Sequence, residues 1–188
     1  MRVISVNTSI QDKRRLAIAA AKPANPSSFD AFYRQEYAGM VAVASALIGD
    51  RGRAEDLAQE SFISAHRHWD RIAGYDHPRL WVRRVLINRA TSLRRRLGSE
   101  LKAVVKVKAE PGAGVVDDLS PPTSEVWDEV RKLPRRQQQT VVLHYVSGLS
   151  MEEIGETLDC SPGTVKAHLH RARQQLKTTL SDWEEDQT

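Results

Sequence analysis

The stretch LSMEEIGETLDCSPGTVKAHLHRAR, from Leu149 to Arg173, decides the fold class because it predicts two short helices joined by a tight turn. Ser150 followed three residues later by Glu153 forms a capping box that starts the first helix. Ser161 caps a second helix, and Pro162 stands at the first helical position, where proline is tolerated. This pattern indicates a helix-turn-helix, whose second helix fits the major groove of DNA.

The second helix of this motif has an apolar face and a basic face. Apolar residues recur at helical spacing and are expected to pack inward, namely Val165, Leu169, Ala172 and Leu176. The outward face has no acid and carries Lys166, His168, His170, Arg171 and Arg173. An ordinary helical hairpin with a solvated basic face shows a similar rhythm. The caps, the small Gly155 at the helix crossing and the single sign of charge together favour DNA contact.

Composition and charge allow one medium domain or two small ones with a polyanionic partner. The chain has 188 residues, 40% of them hydrophobic, and a formal net charge of +4. The calculated pI is about 9.4. Charge is segregated, since seven arginines and no acid lie between Arg79 and Arg96, and four acids lie between Asp182 and Asp186. Such clustering is typical of nucleic-acid-binding proteins.

The single cysteine and the hydropathy pattern favour a reducing, cytoplasmic location. Cys160 cannot form an intramolecular disulfide, and a small core side chain is preferred over a redox sensor. No apolar run is long enough for a membrane span. A short apolar run at 16–21 follows basic residues, so a secretory signal is an alternative on charge alone. Lys22-Pro23 is a poor cleavage context, which favours a disordered or loosely helical extension.

Helical periodicity predicts an all-α protein with two small domains on a flexible linker and no internal repeat. The predicted segments are a flexible extension at 1–28, a first domain at 29–97, a linker at 98–123, a second domain at 124–178 with the helix-turn-helix at about 150–173, and an acidic tail at 179–188. The first domain has predicted helices at 29–48, 53–69 and 79–96, with a loop at 70–78. Val104 to Val107 are a candidate extended piece within the linker.

The glycine and proline content of the linker implies that the two domains need not touch. Limited proteolysis is therefore expected to cut the linker first and to leave two helical fragments.

Three motifs in this order carry a resemblance to a known family. They are GDRGRAEDLAQESF at 49–62, PRLWVRRVLINR at 78–89 followed by Arg94 to Arg96, and LPRRQ at 133–137 leading to the helix after Ser161. The chain resembles the extracytoplasmic-function (ECF) sigma factors of bacterial RNA polymerase, in the sigma-70 superfamily. The resemblance implies binding to core RNA polymerase, recognition of the −35 and −10 promoter elements, and DNA melting. The residues themselves offer no nucleophile motif and no glycine-rich phosphate loop, so we expect no catalytic residue, no cofactor and no metal.

An acidic patch in the first motif is the predicted polymerase-binding face. Asp56 and Glu60 lie four residues apart and share a helix face with Gln59 and Ile63. The resemblance implies that these residues bind the clamp helices of the polymerase. The alternative interpretation is an acidic face that contacts only solvent. Their own helix offers Asp56 and Glu60 no cation four residues on, which favours an external positive partner. Arg89 falls on an apolar side, where snorkelling is the available explanation.

The second motif supplies predicted contacts to promoter DNA. One polar sector of this helix is expected to hold the side chains that contact phosphates or bases, namely Arg83, Arg84, Asn88, Arg94 and Arg95. Trp81 borders the sector, where it either packs in the core or stacks on an unpaired base. The preceding loop, by resemblance, captures a flipped base through Arg71, Tyr75, Asp76 and His77.

The second helix of the helix-turn-helix is predicted to read the upstream promoter element. The side chains expected to face the groove are Thr164, Lys166, Ala167, His170 and Arg171. Ser161 and the free amides beside it are expected to hold a phosphate. Asp159 stands where the family often has glycine, and aspartate tolerates the conformations of turns.

Two other functions remain as alternatives at this point. Residues 164–169 also resemble the recognition helix of LuxR-type transcription regulators, and co-purification with core polymerase would discriminate between the two. A helical hydrolase using Glu55, Asp56 and Glu60 lacks an acid–base partner. A metal site is disfavoured because His168 and His170 point apart, as do His66 and His68. The resemblance implies a location at the nucleoid. It leaves open whether an anti-sigma factor binds the chain, which promoter sequence is recognised and which signal induces the response.

Overall fold

The computed structural model describes the backbone of residues 28–105 and 124–186, with side chains at 28–99 and 126–177. Within those ranges the chain forms eight helices and no strand, which confirms the predicted all-α class. The helices are α1 Phe29–Ile48, α2 Arg51–Arg67, α3 Trp69–Ile72, α4 Pro78–Val105, α5 Ser124–Lys132, α6 Arg135–Tyr145, α7 Met151–Leu158 and α8 Pro162–Asp186. Among them, none is long and apolar enough to cross a lipid bilayer.

Helices α1 to α4 form the N-terminal domain. The hydroxyl of Ser28 caps α1 by accepting the Ala31 N–H at 3.2 Å, and Gly49 ends that helix with a φ of +83°. The carboxylate of Asp50 caps α2 by accepting the Arg53 N–H at 2.9 Å. The caps fix the turn between two long helices whose apolar faces then meet α4. The buried side chains include Phe32, Met40, Val43, Leu47, Ala58, Phe62, Val82 and Leu86.

Helices α5 to α8 form the C-terminal domain, in which α7 and α8 are the predicted helix-turn-helix. Ser150 and Glu153 make both hydrogen bonds of the capping box that starts α7. Asp159 ends α7 with a φ of +56°, the left-handed conformation that aspartate tolerates better than most residues. The apolar face predicted for α8 is buried, together with partners from α5, α6 and α7, as shown by Val130, Leu143, Ile154, Leu158, Val165, Leu169 and Ala172.

Gly155 allows α7 to approach the turn before α8. A Cβ added at this position would lie 2.7 Å from the carbonyl oxygen of Cys160, a backbone atom that cannot move aside on its own. Because Gly155 has no side chain, α7 can approach this turn closely enough for the side chains of α7 and α8 to interlock.

Gly155→Ala is expected to lower the free energy of unfolding by about 1–3 kcal/mol, because the added methyl group overpacks the turn. Gly98→Ala is the matched control, since no atom lies within 4 Å of a Cβ added to this helical glycine. The control should raise stability by about 0.5–1 kcal/mol through helix propensity. Urea unfolding followed by circular dichroism measures both changes, and equal effects of the two would refute the close-approach argument.

Several boundaries differ from those predicted from the sequence. Helix α4 continues past the predicted domain end at 97 and includes Val104 and Val105, which were expected to be extended. A single glycine at 98 costs a long helix only about 1 kcal/mol, so it does not end the helix. The predicted loop at 70–78 begins with the short helix α3, and α8 continues into the predicted tail as far as Asp186. The extension at 1–27 and most of the linker, at 106–123, lie outside the described residues.

The two domains pack against each other. Helix α4 of the N-terminal domain contacts α7, and α1 contacts both α5 and α6. The linker composition implied only that the two domains need not touch, and in this structure they do touch. The packing places α4, the most basic helix of the N-terminal domain, against α7, the first helix of the helix-turn-helix. Part of the candidate DNA-binding surface on α4 therefore lies at the contact between the domains.

Candidate promoter and polymerase interfaces

The recognition helix α8 presents its predicted DNA-reading face to solvent. Val165, Leu169 and Ala172 are buried, which fixes the rotation of the helix. All six predicted contact residues at its start and on its outer face are exposed, namely Ser161, Thr164, Lys166, Ala167, His170 and Arg171. The hydroxyl of Ser161 accepts the Thr164 N–H at 3.2 Å and therefore caps the helix. The arrangement offers two cations and hydrogen-bonding groups on one convex, accessible face.

His168 differs from its neighbour His170 because it lies half-buried at the edge of this face. Burial lowers the pKa of the His168 imidazole, and the nearby guanidinium groups of Arg171 and Arg136 lower that pKa further. His168 is therefore neutral at pH 7 and adds no positive charge toward DNA. Arg136 is held in place by donating to the carbonyl oxygen of Leu158 at 2.9 Å.

The residues predicted to form one polar sector on α4 are divided among different surroundings. Arg83 is buried, and its Nη1 lies 2.7 Å from Oε2 of Glu36 on α1. The ion pair joins two helices of the N-terminal domain, and Nε of Arg83 also donates to the Ser147 hydroxyl of the C-terminal domain at 3.4 Å. Arg83 is the exception in the predicted sector, because it is buried between α1 and the C-terminal domain, whereas the other four residues are exposed.

Arg84 and Arg94 both contact the C-terminal domain. Arg84 donates to the backbone carbonyls of Glu156 and Thr157, the latter at 3.2 Å. Arg94 donates to the side chain of Gln138 and, at 2.9 Å, to the carbonyl oxygen of Arg131. Burial lowers the pKa of the Arg94 guanidinium, and the charge of Arg131 lowers that pKa further, although an arginine remains protonated at pH 7.

The other two predicted residues on α4, Asn88 and Arg95, are exposed, as are Arg84 and Arg94. Arg95 lines a cleft of about 430 Å³ between the domains, which it shares with Arg94 and Arg135 and in which no acid takes part. Asn88 lines a separate groove between α4 and α2, which also contains Asp56 and Glu60. Asn88 thus lies beside the predicted polymerase face, one helical turn along α4 from Arg84.

The predicted polymerase face on α2 is exposed throughout, at Asp56, Gln59, Glu60 and Ile63. The Ile63 side chain has 51% of its surface exposed, which leaves an aliphatic group among polar ones. Glu60 is not without a cation, since Arg89 on α4 donates to its carboxylate at 2.6 Å and to Ser64 at 2.8 Å. This contact explains Arg89, which the sequence pattern left on an apolar side.

The predicted base-capture loop follows the short helix α3. Arg71, Tyr75 and Asp76 are exposed, and His77 is half-buried. The Tyr75 N–H donates to the carbonyl oxygen of Ile72 at 3.0 Å, which holds the loop close to α3. Trp81 is partly buried and packs against the core, 6.0 Å from the ring of His68 between centroids.

Sequence reasoning missed the polar residues that join the domains. Gln138 donates to the carbonyl oxygen of Leu47 at 3.2 Å, and Gln139 donates to the Thr91 hydroxyl at 3.0 Å. Both glutamines are buried. The sequence offered one signal of these contacts, namely two adjacent glutamines in an amphipathic helix, one of them on its apolar side. A glutamine amide buried at such a position needs a hydrogen-bond partner.

The hydrolase alternative has no organised site in the part of the chain that the structure describes. Glu55 pairs with Arg51 at 3.0 Å on an exposed face, and Glu60 pairs with Arg89, so the three acids form no enclosed acid–base pair. Within the same residues, no group of three or more potential ligands is placed to hold a metal ion.

Both domains match known protein families. Residues 32–100 match the family model for sigma-70 region 2, and residues 123–176 match the model for sigma-70 region 4. The ECF RNA polymerase sigma-E factor of Salmonella typhimurium strain LT2 is 30% identical over 138 residues, which are 66% of this chain and 72% of that protein. The ECF sigma factor SigW of Bacillus subtilis strain 168 is 29% identical over 149 residues, 72% of this chain and 80% of SigW.

Solved structures share the fold across both domains. The sigma factor RpoE of Bartonella quintana, solved with the anti-sigma factor NepR, aligns with a TM-score of 0.67 and 25% identity. The alignment covers 81% of this chain and 96% of that one. CnrH, solved with the cytosolic domain of CnrY, aligns with a TM-score of 0.62 over 89% of this chain and 97% of CnrH. Its 21% identity shows the fold alone.

The chain therefore belongs to the ECF sigma factors of the sigma-70 family. It is a DNA-binding sigma factor for transcription initiation, with core RNA polymerase and promoter DNA as partners. Membership of this family suggests a non-enzymatic regulator.

Proposed function

We propose that three separate surfaces of this chain divide the work of initiation. Helix α8 reads the −35 element in duplex DNA, α4 and the loop before it bind the −10 element and favour its melted state, and the outer face of α2 docks on core polymerase. Binding energy alone stabilises the melted DNA, so the chain is not an enzyme and needs no catalytic residue. Such a protein acts in the cytoplasm at the nucleoid.

The observation that carries this proposal is the exposed, acid-free face of α8 on a helix-turn-helix. A helix placed this way can enter the major groove with its N-terminal residues on the base edges. Among the predicted contact residues of this face, Lys166 and Arg171 are the two cations, and neither forms an ion pair within the described residues, whereas Arg173 donates to the Tyr145 hydroxyl. Their ammonium and guanidinium groups are thus available to phosphates or to guanine.

On α4, the proposed phosphate contacts are Arg84, Arg94 and Arg95, with Asn88 and the loop residues Tyr75 and Asp76 as candidates for contacts to bases. Arg83 is left out of this set. Its guanidinium is buried between Glu36 of α1 and Ser147 of the C-terminal domain, and exposing it to DNA would leave the carboxylate unpaired. Arg83 is better explained as a residue that fixes α4 against α1.

Lys166→Ala and Arg171→Ala are each expected to weaken binding to duplex DNA by about 1–3 kcal/mol if the residue reads a base, and by less if it contacts a phosphate. The measurement is fluorescence anisotropy of full-length protein with duplexes selected from a random library by the unaltered protein. Arg67→Ala removes the same charge from an exposed site on the other domain and should have little effect. Equal losses in all three variants would indicate non-specific electrostatics.

Run-off transcription with core polymerase on a promoter library tests the proposal as a whole. Specific transcripts should require this chain, and their start sites should share two elements at fixed spacing. A LuxR-type regulator would bind DNA without associating with core polymerase. The match of residues 32–100 to sigma-70 region 2 supports the sigma interpretation, because a regulator alone leaves that domain unexplained.

Regulation by an anti-sigma factor is part of the proposal. The RpoE and CnrH structures were solved with an anti-sigma factor and with the cytosolic domain of CnrY, respectively. We propose that a protein of this kind holds the present chain away from core polymerase. Co-purification with and without overproduced core polymerase would identify it.

A further inference from the structure

The cleft between the domains is formed by α1, α4 and α6 and has a basic rim over an apolar floor. Leu47 of α1 and Ala90 of α4 supply the floor. Arg94 and Arg95 come from α4 and Arg135 from the first turn of α6, so both domains contribute cations. The remaining lining residues are Thr91, Gln138 and Gln139. The volume of about 430 Å³ lies within the range of small-molecule sites, ~300–1,000 Å³.

The positive charge of this cleft is not neutralised within the residues that the structure describes. None of the residues that line it is an acid. Arg94 donates only to neutral groups, namely the side chain of Gln138 and the carbonyl oxygen of Arg131. The guanidinium groups of Arg95 and Arg135 form neither an ion pair nor a hydrogen bond within the described residues. An anion bound between them removes the repulsion among like charges, and the planar fork of arginine suits phosphate oxygens.

The wall of the cleft also contains a buried amide that is only half satisfied. Gln138 uses both ends of its amide, because it accepts from Arg94 and donates to the carbonyl oxygen of Leu47 at 3.2 Å. Gln139 donates to the Thr91 hydroxyl at 3.0 Å, but its Oε1 is buried without a hydrogen-bond partner within the described residues. A buried acceptor without a donor is unfavourable. An N–H group on a ligand, reached by a small adjustment of this amide, would satisfy it.

The cleft therefore offers more than a phosphate alone requires. A cation on an open surface is sufficient for a phosphate, as with Lys166 and Arg171 on α8. An apolar floor and an amide beside it are instead the contacts that a flat ring with polar edges makes in a binding site. A nucleotide combines such a ring, which carries N–H groups on its edge, with phosphates at its other end.

We propose that this cleft is a binding site for a nucleoside diphosphate, whose phosphates contact Arg95 and Arg135 and whose base lies on Leu47 and Ala90 with its edge toward Gln139. Two unpaired guanidinium groups match the charge of a diphosphate. The inference does not depend on the DNA contacts proposed for α4. Arg95 belongs to both sets, however, so a bound nucleotide excludes a promoter phosphate from this side chain.

Isothermal titration calorimetry of the full-length protein with ADP and with GDP tests the proposal. At least one of the two is expected to bind with a stoichiometry of one per chain and to raise the melting temperature, because it binds the folded state. Pyrophosphate carries the phosphates without a base. It should bind at least about tenfold more weakly, because it makes no contact with the apolar floor or with Gln139.

Two variants test the two ends of the site. Arg135→Ala should weaken nucleotide binding at least about tenfold, because a charge-assisted hydrogen bond to phosphate is lost. Arg67→Ala is the matched control, since it removes the same charge from an exposed site on α2 and should change binding by less than about twofold. Gln139→Leu should weaken binding of the nucleotide and leave that of pyrophosphate unchanged, a difference that a general loss of folding cannot produce.

Several results would overturn the proposal. They are the absence of binding, equal affinity for pyrophosphate and nucleotide, and equal losses in Arg135→Ala and Arg67→Ala. A short thymidine single strand is titrated beside the nucleotides. If its binding depends on Arg135 while ADP and GDP do not bind, the cleft serves DNA and the nucleotide site is refuted.

Discussion

Arg83→Met is expected to lower the free energy of unfolding by about 3–5 kcal/mol, the largest stability effect we expect of a single substitution in this chain. The substitution leaves the Glu36 carboxylate, whose side chain is only 11% exposed, without its cation. A buried carboxylate that has lost its partner either remains charged at high cost or takes up a proton, and both outcomes penalise the folded state.

Arg34→Met is the matched control, since Arg34 pairs with Asp30 on the same helix α1 with side chains 80% and 75% exposed. That pair should contribute no more than about 0.5 kcal/mol. The double variant Glu36→Met/Arg83→Met should recover most of the loss, because replacing both buried charges with apolar groups is often neutral. Urea unfolding of the four proteins measures these changes. A loss in Arg83→Met no greater than that in Arg34→Met would refute the structural role of the buried pair.

Local features of the sequence were sufficient for much of the fold. The capping box at Ser150 and Glu153, the cap at Ser161 and the left-handed turn at Asp159 depend on residues within four positions of one another. Apolar periodicity gave the rotation of α8 for the same reason. The exposed DNA-reading face of that helix was accordingly predicted residue by residue, although its contact with DNA remains a prediction.

Contacts between residues distant in sequence could not be predicted. An arginine on α4 can neutralise a phosphate or an acid with equal ease, and its charge does not indicate which. Arg83 and Glu36 are 47 residues apart, and Arg89 and Glu60 are 29 apart, so no local pattern joins them. Likewise the composition of the linker indicated freedom between the domains, whereas the buried Gln138 and Gln139 bring polar groups of α6 onto α1 and α4.

Reversing the charge of the α2 face is the second large effect expected. Asp56→Lys/Glu60→Lys should weaken association with core polymerase by about 2–5 kcal/mol, since like charges then meet a basic partner. This loss corresponds to about 30- to 4,000-fold in affinity. The single variant Asp56→Lys is the cleaner test, because Asp56 is exposed and forms no ion pair among the described residues, whereas Glu60 pairs with Arg89.

The ion pair of Glu60 with Arg89 determines how the double variant must be interpreted. The Glu60 and Arg89 side chains are 57% and 37% exposed, so losing this ion pair should cost about 0–1 kcal/mol of folding stability. Asp56→Lys should change stability by less than about 0.5 kcal/mol.

Asp30→Lys, on the exposed first turn of α1, controls for the change in net charge. Titration of labelled protein with core enzyme, beside thermal melts of the free proteins, separates docking from folding. If Asp56→Lys binds polymerase as well as Asp30→Lys does, the face is merely solvated. If it melts well below Asp30→Lys, the carboxylate belongs to the fold. A loss confined to polymerase binding leaves docking as the explanation for an exposed acidic pair beside the exposed side chain of Ile63.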